Sequence, residues 1–133
     1  MSNFSLNRVE LIGRLCDDPE IRSFGNGGKI AKLRLATSQS WNDKQSGEKR
    51  ERSEFHTVEI MPKGLAGVIE KYADKGAQVR IVGELRTDKW EDKDGNDRYT
   101  TKIVVASNCH EFNFLEGKKA AEARRARANA EEE

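Results

Sequence analysis

The sequence predicts an all-β fold with one short helix: a five-stranded barrel, the helix between the third and fourth strands, and a polar tail at the C-terminus. Three observations lead there. Four segments alternate apolar and polar residues with period 2, and a fifth, RYTTKIVVA, also reads as a strand. One segment switches to an apolar stripe of helical period. Residues 116–133, EGKKAAEARRARANAEEE, hold no apolar residue larger than alanine.

Each element follows in chain order. In RVELIGRL, residues 8–15, Val9, Leu11, Gly13 and Leu15 share one side, and Arg8, Glu10, Ile12 and Arg14 the other. The internal Gly13 marks a bend or bulge. A turn-rich connection carrying Asp18-Pro19 and Gly25-Asn26-Gly27-Gly28 follows over residues 16–28. The second strand sets Ala31, Leu33 and Leu35 against Lys32 and Arg34 and ends at Trp41. NDKQSGEKRERS, twelve residues without a hydrophobe, reads as a long mobile hairpin loop. In FHTVEIM, residues 55–61, Val58 and Ile60 face the core, with His56 on their side, while Phe55, Thr57, Glu59 and Met61 face away. From Pro62 the period changes: Leu65, Val68, Ile69 and Tyr72 form the stripe of a short helix, begun by Pro62 and ended by Gly76, with Tyr72 packed in the core. In AQVRIVGEL, Val79, Ile81, Gly83 and Leu85 point inward, and Gln78, Arg80, Glu84, Arg86 and, with continuation, Trp90 point outward. EDKDGNDR turns on Asp94-Gly95, and RYTTKIVVA is the fifth strand. Five strands with a helix in that place are the arrangement of an OB barrel. Glycines inside its first and fourth strands fit a sheet that bends sharply to close.

Composition bounds the function without choosing it. The chain has 133 residues, 35% hydrophobic and 35% charged, and a net charge of +1 from 24 basic and 23 acidic side chains. Total charge gives no case for a polyanionic partner, so the placement of charges has to make it. Cys16 and Cys109 show no CxxC spacing and read as reduced, buried thiols, with a disulfide left open. MSNFSLNRVE lacks the basic start and apolar run of a secretory signal, and no apolar stretch is long enough to cross a bilayer. A soluble cytoplasmic protein is expected, in which residues 1–115 form the barrel domain and residues 116–133 the charged, helix-prone tail.

The residue pattern excludes the common catalytic and metal chemistries. His56 and His110 have no zinc spacing with the cysteines. DKDGND has its glycine fourth, where a calcium loop needs it sixth, and Ile103 stands at the twelfth position in place of glutamate. No GxSxG and no Walker phosphate loop occurs. No enzyme, metal or cofactor is therefore expected. What stands out is face. Phe55 and Met61 lie opposite the core side of their strand, Trp90 shares a face with Arg80 and Arg86, and Trp41 precedes a segment holding Lys44, Lys49, Arg50 and Arg52. Aromatics interleaved with cations suit unpaired nucleic acid, whose bases stack without regard to sequence while cations meet the phosphates. Lys44, Lys63, Lys75, Arg86, Lys89 and Arg98 flank the aromatics or sit at turns where a phosphate can be met.

NRVELIGRLCDDPEIR, GNGGKIAKLRLAT, SWNDKQSGEKRERSEFH, KYADKGAQVRIVGELRTDKW and DGNDRYTTKIVV, in that order over about residues 5–106, resemble the bacterial single-stranded DNA-binding proteins. The resemblance implies binding of single-stranded DNA without strong sequence preference during replication, recombination and repair, and assembly as a homotetramer. It implies stacking at Trp41, Phe55, Met61 and Trp90, phosphate contacts at Lys44, Lys63, Lys75 and Arg98, and a place for His56 at the subunit interface. Phe55 stands where a tryptophan is usual and Met61 where an aromatic is usual. The Asp-Pro-Phe-like tip by which such proteins recruit partner enzymes is missing from ANAEEE, so recruitment through the tail is not expected. Two other readings keep the same surface: an adaptor module that offers it to a protein, as a primosome accessory protein of the small OB type would, and an RNA binder, which the side chains do not distinguish.

Overall fold

The computed structural model describes residues 4–106 and 109–132, with the side chain of Glu132 left out. The first three residues of the segment read above for a leader, and Glu133 of the tail, lie outside the described residues. Among the described residues the fold comprises seven strands, β1 (Val9–Leu15), β2 (Glu20–Ser23), β3 (Lys29–Asn42), β4 (Lys49–Ile60), β5 (Gln78–Glu91), β6 (Asp97–Val105) and β7 (Glu111–Phe114), and two helices, α1 (Lys63–Tyr72) and α2 (Lys118–Glu132). Five strands close on themselves in the order β1-β3-β4-β6-β5, with β5 returning to β1. All these pairings are antiparallel except β4 with β6, which run parallel. The mostly β, barrel-shaped expectation holds at this level.

The inward sides of the strands meet as expected. Leu15, Ala31, Leu33, Leu35, Val58, Ile60, Val79, Ile81, Ile103 and Val105 form one buried cluster, and α1 closes it with Ala66 and Ile69. Closure brings backbones together at the two strand glycines. A Cβ on Gly13 would stand 2.2 Å from the Ala36 carbonyl oxygen, and one on Gly83 would stand 2.6 Å from that of Val104. Both glycines mark changes of neighbour. β1 adds β3 to β5 as its partner at Arg14, and β5 leaves β1 at Gly83 to continue on β6 from Glu84. Beyond that point Asn7 bridges the vacated edge, accepting from the Leu85 N–H at 2.8 Å and donating to its carbonyl at 2.8 Å.

Several expectations need correction. The helix α1 follows the fourth strand of the structure, not the third, because the turn-rich connection contains β2. There Ile21 pairs with Ala31 and leans on the core, a lone hydrophobe among polar neighbours that gives no periodicity. Half of the expected twelve-residue loop is strand. β3 and β4 stay paired out to Asn42 and Lys49, leaving only residues 43–48 as the turn. Neither face of this arm is buried, so hydrogen bonding holds it without an apolar alternation to announce it. Leu85 is 49% exposed instead of inward, because the barrel has opened by that residue. Tyr72 is 56% exposed, so only part of the helix stripe reaches the core. β7 and α2 add elements the strand count lacked. Cys16 is half-buried and Cys109 exposed, so Cys109 is not the buried thiol expected.

The tail helix α2 is held by charge. Arg124 donates to Glu116 at 2.7 Å, to Asp74 at 2.8 Å and to the Lys75 carbonyl at 2.6 Å, while Arg125 donates to Asp74 at 2.9 Å. Arg124 and Glu116 keep only 14% and 10% of their side chains exposed, which strengthens the pair relative to a surface one. Burial pushes the Asp74 carboxyl up, but hydrogen bonds from Arg124 and Arg125 outweigh it and leave its pKa below the ordinary 3.8. A carboxylate with a lowered pKa contributes stability that is fully present above 3.8 and lost as pH falls through the folded value.

Three substitutions test this architecture. Gly13→Val should lower stability by about 1–3 kcal/mol or more in chemical denaturation, since backbone has to move. Gly67→Ala, inside α1 with nothing within 4 Å of the added methyl, should instead raise stability by roughly 0.5–1 kcal/mol. Arg124→Ala should cost about 1.5–3 kcal/mol through its charged hydrogen bonds. It should also weaken the far-UV helix signal at neutral pH, and the unmutated chain should lose that same signal only in acid, below pH 3.8.

Candidate nucleic-acid interface

The parallel register sets the geometry of the site. β4 and β6 pair only over Val58–Ile60 and Ile103–Val105. Because they run in the same direction, their earlier residues leave the barrel from the same end. The β3–β4 and β5–β6 hairpins therefore project side by side as two arms, and each carries a tryptophan near its tip.

The arms are built alike. Trp41 precedes Asp43 by two residues, and Trp90 precedes Asp92 by two. Asp43 Oδ1 accepts from the Gln45 N–H at 2.8 Å, and Asp92 Oδ1 from the Asp94 and Asn96 N–H groups at 3.0 and 2.9 Å. Each turn then needs a left-handed residue, supplied by Gly47 at φ 73° and Gly95 at φ 81°. Across the ladder Trp41 faces Arg50 and Trp90 faces Arg98. Both arginines lean back on the turn aspartate, Arg50 to Asp43 at 3.6 Å and Arg98 to Asp92 at 2.9 Å. The Asn96 N–H first, and then Arg98, hold the Asp92 carboxyl below its usual pKa. Lysine follows each aspartate, Lys44 on one tip and Lys93 on the other. Lys93 escaped the sequence reading, and the repeated Trp-x-Asp-Lys was the signal that would have found it.

The aromatics are not sealed in. Trp41 is 48%, Phe55 54% and Trp90 50% exposed, the Trp90 indole N–H being fixed to Thr100 Oγ1 at 2.9 Å. Phe55 lies at the fork between the arms, where Arg34, His56, Thr57, Leu85, Thr101, Lys102 and Ile103 line a cleft with it. By period 2 Trp41 sits on the side of β3 that carries Leu33 and Leu35, and Phe55 sits on the opposite side of the β3–β4 ribbon. Trp41 is open because its part of β3 has left the barrel. Met61 follows β4 and is exposed, its sulfur 3.9 Å from an Arg86 guanidinium nitrogen.

The expected cations fall into three groups. Arg86, Lys89 and Arg98 are on the β5–β6 arm, but each holds a carboxylate: Glu84 at 2.9 Å, Asp97 at 3.3 Å and Asp92 at 2.9 Å respectively. Lys44 stands at an arm tip. Lys63 begins α1, near the Gly27 turn. Lys75 is apart, in the corner where α2 docks, its N–H bonded to Asp18 and its carbonyl to Arg124. Among the described residues the lysine ion pairs are those of Lys29, Lys89 and Lys102, so Lys44, Lys63 and Lys75 carry charge without an acidic partner. His56 is half-buried and shares a 2.9 Å hydrogen bond with Thr37.

Among the described residues no three His, Cys, Asp or Glu side chains gather to hold a metal, and no helix is long and apolar enough to cross a membrane. A cavity of about 600 Å³ lies between α1, β7 and α2, lined by residues such as Val68, Tyr72, Phe114 and Ala121, none of them from the aromatic set.

The Single-strand binding protein family matches residues 6–115. A curated relative from Rhizobium meliloti (strain 1021), a "Single-stranded DNA-binding protein", is 47% identical over 114 residues, which is 86% of this chain and 66% of the relative. A solved structure of "Plasmodium falciparum SSB complex with ssDNA" superposes with a TM-score of 0.76 at 31% identity, covering 87% of this chain and 100% of that one. The chain belongs to the single-strand binding protein family.

Proposed function

We infer that this chain binds single-stranded DNA through the two arms and the fork between them, and that it acts by binding, not catalysis. One observation carries the reading: three large aromatics, each about half exposed, sit beside arginines at one end of the barrel. Each base stacked on such a ring is worth roughly 1–3 kcal/mol, whatever its sequence. Family membership, and the naming of both relatives for single-stranded DNA, support it.

Within this reading Trp41, Phe55 and Trp90 stack bases, and Met61 offers a smaller, polarizable surface. Lys44, Lys63, Arg86, Lys89 and Arg98 meet phosphates. The three ion-paired cations among them exchange a carboxylate for a phosphate at little cost, since exposed pairs contribute only about 0–1 kcal/mol. Lys75 serves a strand that continues around the barrel, because Trp90 is twelve residues along β5 from Gln78, up to about 40 Å away. Residues 1–115 form the binding domain and residues 116–133 an appendage. Assembly as a homotetramer, with His56 at the subunit interface, and a role in replication, recombination and repair complete the proposal.

Titration with oligo-dT tests the core of it. Tryptophan fluorescence should be quenched, and Trp90→Ala should weaken binding by roughly 1–3 kcal/mol. Absence of quenching at low salt, with oligo-U equally silent, would remove nucleic acid as the ligand. Because the tips match, Lys93→Ala and Lys44→Ala should each reduce the log–log salt slope by about 0.7, the loss of one phosphate contact. Unequal slopes from an otherwise stable pair of variants would show that the tips are not equivalent.

A further inference from the structure

Each exposed aromatic of the site has an arginine beside it, and the three arginines are not in the same state. Arg50 beside Trp41 is tied to Asp43 and Glu48 at 3.6 and 3.7 Å, and Arg98 beside Trp90 is tied to Asp92 at 2.9 Å. The third is Arg34. Its guanidinium carbon lies 5.6 Å from the centre of the Phe55 ring, and no carboxylate of the described residues forms an ion pair with it. Asp17, Asp18 and Glu20 share a neighbouring cleft with Arg34 but do not reach it.

We propose that Arg34 is a further DNA-contacting residue, meeting a phosphate beside the base stacked on Phe55. The inference rests on the single-strand reading above. Register puts the side chain there: Arg34 stands opposite Thr57, and the small Ala36 stands opposite Phe55, so the long Arg34 reaches the ring diagonally. One donor, Nη1, is spent on Thr57 Oγ1 at 3.4 Å. The rest of a five-donor guanidinium faces solvent, a fork suited to phosphate oxygens. The location is also central, since Arg34 and Phe55 both line the cleft between the arms. That cleft lies at the fork between the arm that carries Trp41 and the arm that carries Trp90. Unlike Arg98, Arg34 gives up no carboxylate when the phosphate arrives, so its full charge counts toward counterion release.

The test is a salt-dependent titration of the full chain with oligo-dT, comparing the unmutated protein with Arg34→Gln and Arg34→Lys. Arg34→Gln should bind several-fold more weakly at low salt and show a log–log slope shallower by about 0.7, while Arg34→Lys keeps the slope. An unchanged slope in Arg34→Gln, with the unmutated chain still binding, overturns the role of Arg34 and leaves single-strand binding standing. Failure of the unmutated chain to bind overturns the underlying reading itself. A second measurement on the unmutated chain is independent of folding in the variants. Phenylglyoxal modification of Arg34, mapped by mass spectrometry, should be blocked by oligo-dT, and modification at the same rate with and without oligo-dT overturns the proposal.

Discussion

The pairing of Val58, Glu59 and Ile60 with Ile103, Val104 and Val105 involves three residues on each side, yet the placement of every aromatic in the site depends on it. Antiparallel neighbours would send their hairpins out of opposite ends of the barrel. A parallel pair sends both the same way, and the shortness of the ladder lets them part as soon as the core is passed. All of these residues except Glu59 are buried, so apolar burial holds the register that sets the site.

Closing five strands over so small a core brings main chains within contact distance, and Gly13 and Gly83 stand where that happens. The arms beyond the barrel have no such support. They are held by ladder hydrogen bonds, by hydroxyl pairs such as Ser38 with Ser53 at 2.8 Å and Thr87 with Thr101 at 3.2 Å, and by an aspartate that builds each turn. That division suits a binding surface: a rigid body fixes where the arms begin, and polar, exposed arms keep their rings available. Most cations near the tryptophans are balanced within the protein, so attraction to a polyanion comes from local exchange and from the few unbalanced side chains.

Charge also organises the far side. Arg124 bridges Asp74 and Glu116 and brings α2 onto the corner before β5. The helix has no apolar face to bury, so an alanine-rich tail docks by guanidinium hydrogen bonds where a larger protein would use leucines. The same corner holds Lys75, which places that expected phosphate contact away from the arms.

Much of this was legible in the residues alone. Alternation located the buried sides of β1, β3, β4 and β5, because a strand with one face in the core must repeat every two residues, whereas β6 buries Ile103, Val104 and Val105 in a row. Exclusion from the core marked Phe55, Trp90 and the cations beside them. Where one face is not buried, that signal disappears, and this is why β2 was read as turn, the outer half of β4 as loop, and α2 only as a helix-prone tail. Leu85 and Tyr72 show the converse, apolar residues in the right phase at positions where the barrel no longer covers them. Which arm cations are tied to carboxylates depends on how each hairpin folds back on itself, and whether a carboxylate reaches Arg34 depends on which strands lie beside it. Only the tertiary structure decides those, because strand register, and not composition, determines which charges meet.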